Sequence, residues 1–466
     1  MKVLFKQVNA QDIQFLYELL TPERVKVAKE LSDVYGKDEM STTEQLPEVM
    51  VEPLTVEEVS AIMSYAYEHN IAVTPRGQGT GLAGGCVPIH GGILLNLQQM
   101  NRILELDQEN LTLTVEPGVL LQEVSAYVEA HDLFYPPDPG EKTASIGGNI
   151  STNAGGMRAV KYGVTRDYVR ALQVVLPDGE IIEVGGKVVK TSSGYDLKDL
   201  LIGSEGTLAI ITKAVLKLIP KPRHLLSILI PFADLQTAID LVPLIIMAKV
   251  IPVALEFLDR QTVIAAEEYL GRNFPDKTEP YYLLLSFDGN TVEELETAAH
   301  SVADLALDHG ASDVLLAETE ERREALWSTR SSFLLAIKSE SDGLDECDVV
   351  VPRNRIADVV NYTLQLEKEC GLRARSYGHA GDGNLHIKCL RDNLPEEVWH
   401  ERKEEFMDKI YAFVHACEGH VSGEHGIGLD KRKYLQRSLN PRNLELMRAI
   451  KIVFDPKGIL NPGKVI

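Results

Sequence analysis

The chain is poor in cysteine, in net positive charge and in long apolar runs. Its five cysteines, Cys86, Cys347, Cys370, Cys389 and Cys417, are scattered through 466 residues, and no two stand as C-x-x-C. That spacing excludes an iron–sulfur or zinc-ribbon ligand set. An odd, dispersed set of this kind reads as reduced thiols of a cytoplasmic protein. Lysine plus arginine number 47 against 69 aspartate plus glutamate, a formal net charge of −22. Such a chain lacks the broad positive field of a nucleic-acid binder and is repelled by anionic membrane surfaces. The most apolar stretch, Leu241–Leu255, is interrupted by Pro243, Lys249 and Pro252. It falls short of the ~18 uninterrupted residues of a spanning helix and reads as buried core. The opening residues MKVLFKQVNAQDIQF contain no apolar core of a secretory signal, which again points to the cytoplasm.

What is present is ordinary globular composition, 44% apolar and 25% charged. Length alone suggests two to four domains at ~100–200 residues each. Residues 1–50 read as polar and helical. Thr55 followed by Glu58 is a capping box that opens an amphipathic helix to about Asn70. Short strands follow at Ile71–Pro75, Ile93–Leu97 and Leu111–Glu116, then a helix at Leu120–His131. Tyr168–Val184 reads as a hairpin turned at Pro177-Asp178-Gly179, and Gly206–Leu218 as a further strand. Lys221-Pro222 marks a boundary. Beyond it strands (Leu226–Pro231, Val253–Leu258, Tyr281–Phe287, Asp313–Leu316) alternate with helices (Asp234–Met247, Val292–His309), which fits an antiparallel sheet with helices on one face. A long helix near Arg322–Lys338, a strand at Asp348–Val351 and helices at Ile356–Cys370 and Glu396–Cys417 complete the reading.

Two glycine-rich regions carry chemistry. The first is Pro75-Arg76-Gly77-Gln78-Gly79-Thr80-Gly81-Leu82-Ala83-Gly84-Gly85. Residues 79–84 match G-x-G-x-x-G after a strand, but a strand rather than a helix follows, so a Rossmann reading fails on context. The glycines still let backbone N–H groups approach phosphate oxygens as an anion nest. The second runs from Pro137-Asp138-Pro139 through Ser145-Ile146-Gly147-Gly148-Asn149 to Thr152-Asn153-Ala154-Gly155-Gly156. Its small, amide and hydroxyl side chains suit it to wrapping a polar ligand rather than to building a core. A third segment, Gly203-Ser204-Glu205-Gly206-Thr207-Leu208, leads into a strand that includes Ile211.

In this order the three segments resemble the FAD-binding domain of the vanillyl-alcohol-oxidase / p-cresol-methylhydroxylase flavoproteins, and Asn461-Pro462-Gly463-Lys464 is similar to that family's C-terminal signature. The resemblance spans essentially the whole chain. It implies an α+β fold: a two-part FAD-binding domain plus an antiparallel-sheet cap domain for substrate. The corresponding boundaries are 1–220, 221–419 and a closing segment 420–466 that completes the active site and the FAD domain. By this resemblance Pro75, Arg76, Gly77, Gln78, Gly79, Thr80 and Gly81 hold the FAD pyrophosphate. Pro137, Asp138, Ser145, Gly147, Gly148, Asn149, Thr152, Asn153, Gly155, Gly206, Ile211 and Asn461 complete the cofactor site. Thr80 stands where some members carry a flavin-linking histidine, so the FAD is expected to be non-covalent.

The C-terminal third holds Gly378-His379-Ala380-Gly381-Asp382-Gly383-Asn384-Leu385-His386 and Gly423-Glu424-His425-Gly426-Ile427-Gly428. A turn at Asp382-Gly383-Asn384 brings His379 and His386 toward each other. Two histidines and Glu424 then make a three-ligand metal set with open positions. In extended chain, neighbouring side chains alternate, which turns His425 away from Glu424 toward substrate. These motifs resemble the D-2-hydroxyacid dehydrogenase branch, which includes D-lactate dehydrogenase, the FAD subunit of glycolate oxidase and D-2-hydroxyglutarate dehydrogenase. The resemblance makes His379, His386 and Glu424 ligands of a divalent metal (Zn, Mn or Fe), His425 the base and Arg330 the substrate-carboxylate arginine. Arg375 and Lys388 are further cationic candidates, while Asp382 and Asn384 shape the hairpin. A single dedicated carboxylate partner tilts the reading to D-lactate. With no nicotinamide fingerprint and no cysteine cluster, electrons must leave to a separate acceptor. The whole-chain look is close to lactate dehydrogenase subunits that work with a two-subunit electron-transferring flavoprotein in bifurcating complexes. A quinone or iron–sulfur partner is the alternative acceptor. Two other readings are a non-catalytic flavin-binding subunit and a non-redox flavoenzyme of the ether-lipid type.

Overall fold

In the computed structural model, residues 5–40 and 43–466 are described. The chain divides into two compact units. One holds the residues up to Ala154, Val164–Lys221 and Glu424–Ile466; the other holds Gly155–Gly163 and Pro222–Gly423.

Among the described residues the first unit has two larger sheets and a two-stranded pair of Leu133–Phe134 with Ile219–Pro220. Its four-stranded sheet runs Val25–Val27, Val49–Val51, Ile93–Asn96, Val73–Arg76, antiparallel at the first pair and parallel thereafter. Parallel strands buried on both faces need unbroken apolar runs, and Ile93, Leu94 and Leu95 are fully buried. Val56–His69 packs there through Val59, Ile62, Met63 and Ala66, the one-face spacing of a helix. Thr55 caps it by accepting the Glu58 N–H at 3.3 Å, and Asn70 ends it in the left-handed region at φ +55°. A five-stranded antiparallel sheet runs Ile103–Asp107, Thr112–Val115, Ile210–Lys217, Val169–Val175, Ile181–Gly185, with its last two strands turned at residues 176–180.

Two sequence expectations differ here, and one helix was not anticipated. Among the described residues of 5–50 the one α-helix is Ala10–Leu20; 3-10 turns, two short strands and irregular chain make up the others, because Pro22, Gly36 and Pro47 leave no periodic apolar stripe. Residues 146–152 do not wrap as an irregular loop. They form a helix capped by Ser145, and Ile146 and Ile150 are fully buried. The C-terminal stretch also contains a helix, Pro441–Phe454, that pattern reading passed over.

The second unit is a seven-stranded sheet in the order Leu315–Ala317, His224–Phe232, Tyr281–Gly289, Ala254–Asp259, Arg373–His379, Asn384–Leu390, Leu344–Val350, every neighbouring pair antiparallel. Residues 155–163 belong to this unit: Tyr162 donates to Asp288 at 2.5 Å, and Lys161 pairs with the same carboxylate. The expected long helix over 322–338 is broken at Ser332 into Glu320–Ser331 and Phe333–Glu340. Together with Arg260–Leu270, these two helices close an apolar cluster of Leu258, Val263, Tyr282, Leu326, Phe333 and Tyr377. The long helix Glu396–Ala416 meets the sheet from the other face, where Cys347 Sγ lies 3.0 Å from Met407 Sδ. No disulfide joins the five cysteines. No helix among the described residues is long and apolar enough to cross a membrane.

Candidate functional site

Two constellations stand out, one in each unit. In the first unit the glycine loops press together closely enough to forbid side chains. A Cβ on Gly77 would lie 2.2 Å from Ser145 Oγ, and one on Gly206, at φ +66°, would lie 2.6 Å from Pro75 Cγ. Gly79 adopts φ +77° with the Arg76 guanidinium beneath it. That guanidinium turns inward, donating to the carbonyls of Val34 (2.9 Å) and Lys37 (2.8 Å), so Arg76 offers the loop its backbone rather than its charge. Asn149, Ile211 and Asp138 are buried, and Asp138 is paired with Lys142. Asn153 ends the 146–152 helix at φ +50° and accepts the Arg166 N–H at 2.9 Å. Gly155 falls in the second unit.

The C-terminal signature closes this region. Asn461 Nδ2 donates to the carbonyls of Gly85 (3.0 Å) and Glu205 (2.8 Å), while its Oδ1 is buried with no hydrogen-bond partner. Crowded glycine backbone and a buried, unanswered amide oxygen are what a region lacking its polar ligand should contain, and they fit FAD. Glu205 was not singled out from the sequence. It sits at φ +51°, is 9% exposed, and its two carboxylate oxygens accept the N–H groups of Ile427 and Gly428, each at 2.7 Å. Burial pushes its carboxyl up, opposed by those two N–H groups.

In the second unit, strand pairing sorts the chemistry onto one face. Glu256 lies opposite His379, Tyr377 opposite His386, and Arg375 opposite Lys388; His386 and Lys388 lie opposite Asp348 and Glu346. Paired residues share a face and successive residues alternate, so all of these project to one side. The hairpin brings His379 and His386 together edge to face, ring centroids 5.4 Å apart. Glu256 anchors the group. It is fully buried; its Oε1 is 2.7 Å from His379 Nδ1 and its Oε2 accepts Arg330 Nε at 2.7 Å. Burial alone would raise the Glu256 carboxyl, but His379 and Arg330 outweigh it and hold it below the ordinary carboxylate range. With Glu256 ionised, His379 carries its proton on Nδ1 and presents the Nε2 lone pair outward, the orientation of a metal ligand. The donor chemistry of this face therefore fits a divalent metal.

Arg330 is not a solvated helix charge. It is 7% exposed, with its guanidinium 4.7 Å from the Tyr377 ring centre. Glu256 holds it by Nε alone, and among the described residues nothing bonds its two terminal nitrogens. The other cations are committed. Lys388 Nζ is 2.5 Å from Glu346, and Arg375 meets Glu340 at 3.0 Å. Glu346 also lies 3.3 Å from His386 Nδ1. Asp348, fully buried, receives Asn384 Nδ2 (2.7 Å), Ser422 Oγ (2.8 Å) and the Gly423 N–H (3.1 Å), which ties down the chain just before Glu424. Glu424 and His425 do not turn apart as an extended segment would make them. Glu424 Oε1 and His425 Nε2 lie 3.6 Å apart, because the backbone bends into Gly426 at φ +82°. Sequence reading missed Glu256, Glu346 and Asp348. The available signal was a carboxylate inside an apolar run, as in Ala254-Leu255-Glu256-Phe257-Leu258.

Comparison with known proteins adds the following. Residues 221–465 match the family model for FAD linked oxidases, C-terminal domain, and residues 47–185 match the FAD binding domain model. The chain is 47% identical to a D-lactate dehydrogenase of Anaerostipes hadrus, covering 99% of this chain and 98% of that protein. It is 40% identical to glycolate oxidase subunit GlcD of Bacillus subtilis, covering 93% and 92%. Among solved structures, p-cresol methylhydroxylase with substrate bound superposes with a TM-score of 0.79 at 19% identity, covering 99% of this chain and 98% of that one.

Proposed function

The chain belongs to the FAD-linked oxidases, and on that basis we propose that it oxidises a D-2-hydroxyacid, with D-lactate, converted to pyruvate, as its substrate. The observation that carries this reading is Glu256. One buried carboxylate orients His379 and holds Arg330 by a single nitrogen. The two remaining guanidinium nitrogens are left to grip a substrate carboxylate bidentately. The glycine loops and Asn461 would hold FAD non-covalently, and the bound flavin would supply the hydride acceptor. His379, His386 and Glu424 are the residues that would hold a divalent metal, which when bound would supply Lewis-acid polarisation of the C2 hydroxyl. His425 takes the hydroxyl proton as general base. Lys388 and Arg375, each neutralised by a glutamate, are not available for a second carboxylate, which favours D-lactate over a dicarboxylic hydroxyacid. Glycolate is the second reading, supported by the 40% identical glycolate oxidase subunit.

The electron acceptor is a separate protein, for which we take a two-subunit electron-transferring flavoprotein. The five cysteines form no disulfide and stand scattered along the sequence without cluster-ligand spacing, which supports an acceptor outside the chain. The test is anaerobic addition of D-lactate to the purified flavoprotein. The flavin absorbance should bleach, and faster than with glycolate or D-2-hydroxyglutarate. His425→Ala should keep its FAD and fail to bleach; reduction at the wild-type rate would remove His425 from the role of base. Adding the electron-transferring flavoprotein to the reduced enzyme should restore the absorbance, and no reoxidation would exclude that acceptor.

A further inference from the structure

Glu205 is an expensive residue where it stands. A non-glycine residue at φ +51° is strained, and a carboxylate at 9% exposure has lost nearly all its water. Its two oxygens accept the backbone N–H groups of Ile427 and Gly428, at 2.7 Å each. The surrounding backbone closes around it. Its own N–H donates to the Ser151 carbonyl at 2.8 Å, and its carbonyl receives Asn461 Nδ2 at 2.8 Å. Gly428 packs so tightly that a Cβ there would sit 2.0 Å from the Ala83 carbonyl oxygen. A Cβ on Gly426 would be 3.0 Å from the Glu205 carboxyl carbon. Residue 205 thus ties Ile427 and Gly428 through its side chain, and Ser151 and Asn461 through its backbone, while Gly428 in turn packs on Ala83.

We propose that Glu205 is a positioning residue, whose carboxylate clamps residues 427–428 so that Glu424 and His425 are held in fixed register with the flavin-binding loops. This rests on the reading of His425 as the base. A carboxylate suits the task because both of its oxygens only accept. A glutamine in its place turns an N–H toward one of the two backbone N–H groups and releases half the clamp. The freed segment displaces the groups that act on substrate without removing them, and misplacement of about 1 Å costs on the order of a hundredfold in rate.

The experiment compares wild type, Glu205→Gln and His425→Ala as purified holoenzymes, with rates normalised to bound flavin. Glu205→Gln should slow flavin reduction at saturating D-lactate 10- to 100-fold, while the half-saturating D-lactate concentration changes less than threefold. Hydrogen exchange should rise in the peptide spanning 424–430 and not in the 373–390 hairpin. Should Glu205→Gln bind too little FAD, Gly426→Ala provides the second variant. It leaves Glu205 intact, crowds the carboxylate from the other side, and should give the same kinetic split. A wild-type rate per flavin in both variants would overturn the proposal, as would a loss that tracks flavin content alone. If His425→Ala itself reduces normally, the base assignment fails, and the exchange measurement still decides whether Glu205 holds the segment.

Discussion

Replacing Glu256 by glutamine should unseat both His379 and Arg330 at once. The carboxylate is 0% exposed and makes two charge-assisted bonds of 2.7 Å. Each such bond contributes roughly 1.5–3 kcal/mol, and removing one partner of a buried ionic group costs about 3–5 kcal/mol because the remaining charge stays buried. Glutamine is isosteric and recovers one neutral hydrogen bond, so the net loss should be about 3 kcal/mol. At roughly 2–4 °C per kcal/mol for a unit of this size, the melting temperature should fall by roughly 6–12 °C. The amide can also donate to His379 Nδ1, which reverses the tautomer and places the second proton on Nε2, where a metal would bind. Metal affinity should then drop 10- to 100-fold, in the range seen when partners behind metal ligands are lost. Thermal unfolding by circular dichroism and metal content after dialysis at fixed free metal read the two effects separately. If Glu256→Gln melts within 2 °C of wild type and retains its metal, the anchoring role assigned to Glu256 is wrong.

Other consequences can be checked independently. Gly77→Ala should lower FAD affinity roughly 10- to 100-fold, since its methyl would meet Ser145 Oγ and overpacking costs about 1–3 kcal/mol; the 450 to 280 nm absorbance ratio after gel filtration reports it, and full flavin occupancy would contradict the loop contact. Lys464 is 2% exposed, and burial lowers its ammonium from 10.5 to about 8, with nearby Cys86, Asp38, Asp430 and Glu205 only partly opposing. Its folded value lies below its unfolded one, so the native state sheds the proton first and gains stability as pH rises through 8. Between roughly pH 8 and 9.5 the gain should be about 2 kcal/mol and should be absent in Lys464→Met; urea titrations of the two proteins that shift in parallel would refute this. Dialysis against a chelator should slow flavin reduction by D-lactate roughly 100-fold without releasing FAD, and added Zn²⁺ or Mn²⁺ should restore it; an unchanged rate after verified metal removal would discard the metal site.

The sequence was most legible where chemistry is local. Turn residues set the 379–386 hairpin, helix spacing set 56–69, and clustered glycines marked loops that cannot carry side chains. What was not legible depends on partners far along the chain. Glu256 acquires its meaning from Arg330 and His379, 74 and 123 residues away. Glu205 meets Ile427 and Gly428 at separations of 222 and 223 residues. The apolar residues flanking Glu256 signal its burial but not its partners, and Glu205, between a serine and a glycine, carries no such local signal. Ser332, which breaks the expected long helix, sits in a helix-compatible stretch, so propensity gave no warning there. The 146–152 helix was hidden for the opposite reason: its two glycines argue against a helix, and the Ser145 cap with two buried isoleucines outweighs them.

The hairpin's pairing has an evolutionary consequence. His379, Tyr377, Arg375, Asn384, His386 and Lys388 occupy one row, while Ser376, Gly378, Leu385, Ile387 and Cys389 occupy the other. Any insertion or deletion of one residue in either strand would exchange the rows and bury the reactive set against the far helices. Point substitution in the reactive row leaves the opposite row's packing untouched. Side chains in the reactive row can therefore change one at a time, while the length of both strands stays frozen.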